Sequence, residues 1–266
     1  MNHPVLKWLE RKQLEERYGS GRWYKSSKDF VPSVTTVLNI VSKGKFFHQW
    51  LANHLNYEHA CQARDRAAER GTLVHELIED MLDGKEILLD DVHDGPEIIK
   101  RIMSFDEWWK NTQVDSIIAK EECLHFPGVR YAGRFDFIAV INGKNCLIDI
   151  KTGAYYKTHD IQASMYKILW DTICEHLGLG QEYMIHKLYG LYLKDSWIKK
   201  PNPQFKELKF VPKVVDSTVN LWEYNHSNAY GKIIPPKNKE EYPLTFKLEE
   251  RDGSKLCGEE GLESLL

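Results

Sequence analysis

Two charged residues interrupt an apolar run near the middle of the chain. In NCLIDIKTGAYY, residues 145–156, Asp149 and Lys151 stand two positions apart. Because side chains alternate along a strand, both lie on one face of what its apolar neighbours indicate is a buried strand. An unpaired charge is costly in such a place. Two explanations remain open at this point: an ion pair at the end of a strand, or a site that binds something positive.

The dipeptide Asn142-Gly143 precedes this run and predicts a two-residue hairpin with a type I′ turn between strands 131–141 and 144–151. That turn fixes the pairing register, which places Asp136 opposite Asp149. Continuous alternation also puts Phe135 on the same face as Phe137. Two opposed acids destabilise a sheet, so the register predicts that a positive charge lies between them.

A third acid joins this pair through the preceding strand. If PGVR forms a four-residue loop, Glu121 faces Asp136, and three carboxylates cluster with no His or Cys as a partner on these strands. Such hard oxygen ligands suit Mg²⁺ or Mn²⁺. A lysine beside the ion, Lys151, suits the orientation of a water molecule and the stabilisation of charge that develops on a phosphate.

The elements that must position these residues are predicted from hydropathy periodicity and turn residues. Residues 1–115 show mainly helical spacing, and residues 116–233 alternate between strands and helices. We expect an α/β fold with a central mixed β-sheet flanked by helices and preceded by a helical N-terminal region. The whole chain, 1–266, is predicted to be a single domain whose residues 234–266 form a tail or surface appendage.

Composition narrows the class of protein. The net charge of −3 argues against a protein that coats nucleic acid indiscriminately, although nine bases against four acids in residues 1–45 and seven against two in 187–213 form two basic regions. These regions are either solvated faces or walls around an acidic polymer. No apolar stretch is long enough for a membrane span and no targeting signal is evident, so we expect an intracellular protein. Protein partners are not indicated.

Several motifs in the same order resemble those of the PD-(D/E)xK nuclease superfamily, with its RecB-like exonuclease branch most similar. The motifs are GRFDFIAV with Asp136, LIDIKTG with Asp149 and Lys151, RGTLVHELIE with His75, and QASMY with Gln162 and Tyr166. The segment PSVT, followed by a Trp at 50, resembles mitochondrial genome maintenance exonucleases and their phage-encoded relatives.

This resemblance implies a restriction-endonuclease-like core and metal-dependent hydrolysis of DNA. It implies that His75, Asp136, Asp149 and the backbone carbonyl of Ile150 hold the metal ion, and that Lys151 is the catalytic lysine. Glu121 would complete the site through water. Gln162 and Tyr166 would lie near the site, to contact substrate or orient the lysine. On its own, a lone His at the border of an apolar stripe is more often structural than a ligand.

Five residues are predicted to contact DNA, and for some of them a structural role is the alternative. Ser33 and Thr35 stand at a helix start, where a hydroxyl either caps the helix or joins a phosphate site. Arg70 lies in the His75 motif, and Lys187 and Lys194 supply an opposite wall. Nearby aromatic residues are either buried or available for base stacking.

The function expected from the sequence is a Mg²⁺- or Mn²⁺-dependent exonuclease for single-stranded or frayed DNA ends, in recombination, repair or replication. Its setting would be the cytoplasm of a bacterium or of a phage-infected cell. The alternatives are a structure-selective endonuclease and a catalytically silent DNA-end-binding module. The spacing of the five cysteines predicts no iron–sulfur cluster, and the lack of a GxxxxGK[ST] phosphate loop predicts no use of ATP.

Overall fold

A computed structural model describes residues 3–10, 15–18, 21–26, 29–42, 44–87 and 95–226. The strands are β1 (Glu15–Tyr18), β2 (Arg22–Ser26), β3 (Asp29–Pro32), β4 (Val114–Lys120), β5 (Cys123–Leu124), β6 (Gly133–Arg134), β7 (Phe137–Ile141), β8 (Lys144–Lys151), β9 (Lys187–Tyr192) and β10 (Gln204–Glu207). The helices are α1 (Pro4–Glu10), α2 (Val34–Leu38), α3 (Gly44–Ala52), α4 (Tyr57–Leu82), α5 (Pro96–Asn111), α6 (Lys157–His176) and α7 (Pro212–His226). The predicted tail, 234–266, lies outside the described residues.

A five-stranded mixed sheet in the order β10-β9-β8-β7-β4 is the centre of the fold. The β8–β9 pair is parallel and the other pairs are antiparallel. Only a parallel neighbour needs a long crossover, and α6 supplies it between β8 and β9. The α/β class with a central mixed sheet flanked by helices, predicted from the sequence, is therefore confirmed.

The β7–β8 hairpin has the predicted register. Phe137 pairs with Ile148 and Ile141 with Lys144, and the turn residues Asn142 and Gly143 have φ values of 50° and 70°. Both values are positive, as a type I′ turn requires. The hairpin is thus specified locally, by two residues that tolerate the left-handed conformation.

Each face of the sheet packs against different helices. Ile138, Leu147 and Leu188 share a core with α6 residues that include Trp170. On the other face, the alternate positions of β7 and β8 share a core with α4 and α5. These two faces are called the α6 side and the α4 side below. They decide from which direction each candidate ligand reaches the site.

The N-terminal region is less helical than predicted. The strands β1, β2 and β3 form a separate antiparallel sheet within residues 1–115. The β-forming residues Trp23, Tyr24, Phe30 and Val31 lie between turn-forming Gly and Ser residues, and this signal outweighs the helical spacing before it. Trp23 is buried against Trp222 of α7, with ring centroids 5.8 Å apart, which ties this sheet to the core.

Two predicted long strands are interrupted. The predicted strand 131–141 is divided into β6 and β7 at Phe135 and Asp136, and the preceding one into β4 and β5 at Glu121 and Glu122. Phe135 consequently packs on the α6 side, with its ring centroid 6.0 Å from that of Trp170, whereas Phe137 belongs to the α4 side. The prediction that both share a face is wrong, because alternation does not continue through the break.

Candidate active site

Asp149 and Lys151 lie on the α6 side of β8, near its carboxyl end. Lys151 Nζ is 2.6 Å from Asp149 Oδ2, and the Asp149 side chain is 3% exposed. That oxygen has no hydrogen bond of normal geometry among the described residues. Burial, with a smaller contribution from the Asp136 charge, raises the pKa of Asp149 to about 6 against the attraction of Lys151. Asp149 and Lys151 therefore form an ion pair in this structure, and Asp149 Oδ2 can accept further hydrogen bonds.

Asp136 occupies the break before β7 and makes two contacts. Its Oδ2 accepts a hydrogen bond of 2.5 Å from the backbone N–H of Ile150, and its Oδ1 lies 3.3 Å from His75 Nδ1. Burial alone raises its pKa, but the neighbouring His75, Lys151 and the Ile150 N–H outweigh burial, so the pKa is lowered. Asp136 is thus held as an anion that faces α4.

Glu121 is brought to Asp136 by an unusual backbone conformation. Its φ is 49°, a left-handed value that is uncommon outside glycine, and its N–H donates to the Asp136 carbonyl at 2.8 Å. The two residues are therefore opposite each other, as the predicted register has them. Burial, followed by repulsion from Asp136, raises the pKa of Glu121 to about 7. Near neutral pH, this carboxyl holds its proton far more readily than an ordinary Glu.

His75 reaches the cluster from α4. Burial lowers its pKa, but Asp136 outweighs burial by its charge and by a hydrogen bond, and the result is a raised pKa. The helix runs close to the DxK segment, since a Cβ on Gly71 would lie 3.6 Å from Thr152 Oγ1. His75 is therefore a partner of Asp136 instead of a residue of the apolar stripe.

One ligand atom each from His75, Glu121 and Asp136 falls within a group whose atoms are all within 4.8 Å of one another. One imidazole nitrogen and two carboxylate oxygens form a donor set that suits a divalent cation such as Mg²⁺ or Mn²⁺. Asp149 lies outside this group, whereas Glu121 belongs to it. Glu121 was predicted to act through a water molecule, and its position here is closer to that of a direct ligand. The ligand roles of Asp149 and the Ile150 carbonyl stay predictions.

Gln162 and Tyr166 lie one turn apart on α6 and contact each other. Gln162 Nε2 donates to Tyr166 Oη at 3.3 Å. Tyr166 is buried, and burial followed by the Asp149 charge raises its pKa well above the usual value. The ring packs on Gly133, where a Cβ would lie only 2.8 Å from Tyr166 Cε1. The structure thus places this pair on the side of the site where Asp149 lies.

Sequence reasoning missed two residues that lie near Gln162 and Tyr166. His159 precedes Gln162 by three positions on α6, and its Nδ1 is 3.0 Å from the hydroxyl of Tyr192 at the end of β9. Tyr192 is the register partner of Lys151 in the parallel β8–β9 pair. The helical spacing of 159, 162 and 166 is a signal from which His159 was predictable. For Tyr192, no local signal existed, because only the register of β9 brings it to the site.

The predicted DNA-contact residues of the N-terminal half have different environments. Ser33 is 2% exposed, and its Oγ accepts the Thr36 N–H at 3.0 Å as the N-cap of α2. Its burial contradicts direct contact with DNA. Thr35 is exposed, and Arg70 Nε lies 3.4 Å from Glu97 Oε2 on α5. The DNA role of these two stays a prediction.

The two predicted lysines lie at opposite ends of β9. Lys187 pairs in register with Cys146 and forms an ion pair of 2.5 Å with Glu207. Five strand positions separate it from the Lys151 end, which is about 16 Å, so it is not part of the cluster. Lys194 follows the end of β9 that lies beside Lys151, because the neighbouring Leu193 N–H donates to the Lys151 carbonyl at 2.8 Å.

Among the described helices, none combines the length and the apolar character that crossing a membrane requires. No curated protein matches the chain. Among solved structures, that of SSO0001 aligns over 86% of this chain and 86% of its own, with 15% identity and a TM-score of 0.36. A TM-score this low does not establish a shared fold.

The family model of the PD-(D/E)XK nuclease superfamily matches residues 20–212, which is most of the chain and includes every residue of the cluster. Nucleases of this superfamily hydrolyse nucleic acid with divalent metal ions. The match and the observed mixed sheet agree, and the chain belongs to the PD-(D/E)XK nuclease superfamily.

Proposed function

We propose that this protein is a Mg²⁺- or Mn²⁺-dependent DNA exonuclease that acts on single-stranded or frayed ends. The observation that carries the proposal is the convergence of His75, Glu121 and Asp136 within 4.8 Å, next to the buried Asp149–Lys151 pair. Separate structural roles would not need five ionisable groups in one partly buried cluster. Strongly perturbed pKa values in such a cluster are typical of functional sites.

The residues of the cluster have different proposed roles, according to the side of the sheet on which they lie. Asp136 and Glu121, together with His75, would hold the cation from the α4 side, and Asp149 would contribute from the α6 side. A bound cation would lower the pKa of water and neutralise the scissile phosphate. Lys151 would orient the attacking water and stabilise charge on the phosphate, with its ammonium fixed beside the cation ligands.

The DNA substrate and exonucleolytic action are supported by motif resemblance alone. Gln162 and Tyr166 on α6 follow the pattern of RecB-like exonucleases, and the PSVT segment that of their mitochondrial and phage-encoded relatives. Such enzymes would act in recombination, repair or replication. A structure-selective endonuclease would use the same cluster and differ only in whether a free end must enter.

The test is digestion of end-labelled linear and covalently closed circular DNA, single-stranded and duplex, with Mg²⁺, Mn²⁺ or EDTA. We expect metal-dependent degradation of linear single strands and intact circles. Cleavage of the circles would establish the endonuclease alternative. Hydrolysis of no substrate with either metal, together with retained DNA binding, would establish the silent binding module.

Two variants link the activity to the cluster. Asp149→Asn and Lys151→Ala should each abolish cleavage while DNA binding, measured by fluorescence anisotropy, remains within about three-fold of wild type. Lys144→Ala is the matched control, because Lys144 is exposed at the opposite end of the same strand. Near-normal metal-dependent cleavage by both cluster variants would contradict the assignment.

A further inference from the structure

The end of β9 adds a wall to the site that the metal cluster does not explain. Tyr192 is 1% exposed, and its ring stacks on that of His159 with centroids 5.8 Å apart and planes at 28°. Both residues are on the α6 side, where β9 lies beside the DxK strand. Burying a phenol and an imidazole together is costly unless the polar atoms of both make hydrogen bonds.

Gly190 lets the Tyr192 ring lie flat toward Asp149. A Cβ on Gly190 would be 2.7 Å from Tyr192 Oη, so the phenol oxygen occupies the place of a side chain at position 190. Gly190 is the register partner of Asp149 in the parallel pair. Since neighbouring strands are about 4.8 Å apart, the phenol oxygen lies next to the Asp149 side chain, and Lys151 Nζ lies 2.6 Å from that carboxylate.

His159 uses only part of the hydrogen-bonding capacity of the Tyr192 hydroxyl. His159 Nδ1 lies 3.0 Å from the Tyr192 hydroxyl oxygen and 3.4 Å from the backbone nitrogen of Tyr156. A phenol oxygen has one proton and two lone pairs. Burial, and then Lys151, lower the pKa of His159 to about 4, which keeps the ring neutral near pH 7. Whichever of the two groups donates, at least one lone pair of the phenol oxygen remains for another partner.

We infer that Tyr192 and His159 are positioning residues for the catalytic lysine: the Tyr192 oxygen accepts the Lys151 ammonium when the Asp149 carboxylate serves a cation, and His159 fixes that oxygen. In the structure, Asp149 is the acceptor for Lys151. A carboxylate that binds a cation is a weaker hydrogen-bond acceptor for an ammonium. The Lys151 ammonium then needs a second acceptor, one that carries no charge. A neutral phenol oxygen meets this need without competing for the metal.

This inference rests on the proposed nuclease activity, and the kinetic test is designed as a double-mutant cycle. Tyr192→Phe removes one oxygen and should lower kcat by about ten- to a hundred-fold, a typical effect of losing a hydrogen bond to a charged group, with KM changed less than about two-fold. His159→Leu should cause a similar loss in wild type but no further loss in the Tyr192→Phe background. His159→Asn, whose amide oxygen replaces Nδ1, should recover most of the rate.

Tyr155→Phe is the matched control. The Tyr155 hydroxyl belongs to the same aromatic cluster but donates to Asp160 at 2.6 Å, so its loss tests a structural role. We expect wild-type kcat from this variant. Wild-type kcat from Tyr192→Phe would overturn the inference, and so would equal effects of His159→Leu in both backgrounds.

A second readout does not depend on cleavage. In Mg²⁺-loaded protein without DNA, the ¹⁵Nζ signal of Lys151 should remain visible because its ammonium protons are hydrogen-bonded, and Tyr192→Phe should abolish it. If wild type cleaves no DNA while this signal depends on Tyr192, the positioning role stands and the proposed function fails. If wild type cleaves DNA and the signal is unchanged in Tyr192→Phe, the positioning role fails alone.

Discussion

Neutralising Glu121 should stabilise the metal-free protein, although the residue is proposed to act in catalysis. The pKa of Glu121 is raised from 4.5 to about 7, first by burial and then by Asp136. At about 1.4 kcal/mol per pKa unit, a fully buried carboxylate with this shift would cost about 3 kcal/mol. Glu121 is only half-buried, and screening by solvent reduces the expected cost to about 1–2 kcal/mol.

The sign of the pH dependence follows from linkage. The folded protein binds the Glu121 proton more tightly than the unfolded chain does, so the contribution of Glu121 to stability falls as pH rises from about 5 to 8. Glu121→Gln keeps the shape and lacks this charge. At pH 8 without metal, we expect the Tm of the variant to exceed that of wild type by about 2–6 °C, from the usual scaling for chains of this size. At pH 5 the difference should nearly vanish.

The assay is thermal unfolding followed by circular dichroism at pH 5 and pH 8, with EDTA or with Mn²⁺. Added Mn²⁺ should raise the Tm of wild type more than that of Glu121→Gln, because the neutral amide is the weaker ligand and binding stabilises the folded state. Glu86→Gln, on the exposed segment after α4, is the control and should match wild type throughout. A variant that is less stable at pH 8, or equally shifted at both pH values, would refute the reasoning.

Four further predictions test separate features. Ser33→Ala should lower the free energy of unfolding by about 1 kcal/mol through loss of the α2 cap and leave the Kd for DNA unchanged; weaker DNA binding would restore its predicted contact role. Lys187→Ala should leave kcat and KM for DNA within two-fold (roughly, as for exposed ion pairs), since its partner is Glu207; a larger effect would place DNA at that end of the sheet. Gly190→Ala should displace the Tyr192 ring and cost about 1–3 kcal/mol in urea unfolding, with a loss of kcat; unaltered stability would show that the ring has another place. Because the pKa of Asp149 is about 6, metal affinity measured by calorimetry should rise from pH 5 to pH 7 with release of protons; an affinity independent of pH would speak against a ligand role for Asp149.

The hairpin and its carboxylates were predictable because their determinants are local. Asn142 and Gly143 fix the turn, and counting from it gives the register from Ile141–Lys144 to Phe137–Ile148. Counting also brings Asp136 close to Asp149 along the chain, but not onto the same face of the sheet. The same reasoning brought Glu121 to Asp136 through one further loop. Their positions along the strands depend on short stretches of chain and follow from turn chemistry, whereas the face on which Asp136 lies does not follow from a period of two.

The rest depended on interactions between distant parts of the chain. Tyr192 reaches Lys151 only through the parallel register of β9, which no turn encodes. Ser33 has the sequence signature of both a cap and a phosphate site, and only its burial against the rest of the fold distinguishes them. The three N-terminal strands were missed because each has only four or five residues, too few to show a clear period of two beside the helical segments around them.

The two interruptions that the periodic pattern did not predict are what allow a site to form across the sheet. In a continuous β7, Asp136 would share the α6 side with Ile138, and the sheet would separate it from His75 on α4. The position of Phe135 on the α6 side shows that alternation reverses at Asp136, which turns this carboxylate toward His75. The left-handed backbone of Glu121 has the same effect on β4, at a cost of about 1 kcal/mol for a residue other than glycine. A chain selected for stability alone would place Gly or Asn there, so the retained strain, like the raised pKa of Glu121, is a cost of bringing Glu121 and Asp136 together beside His75.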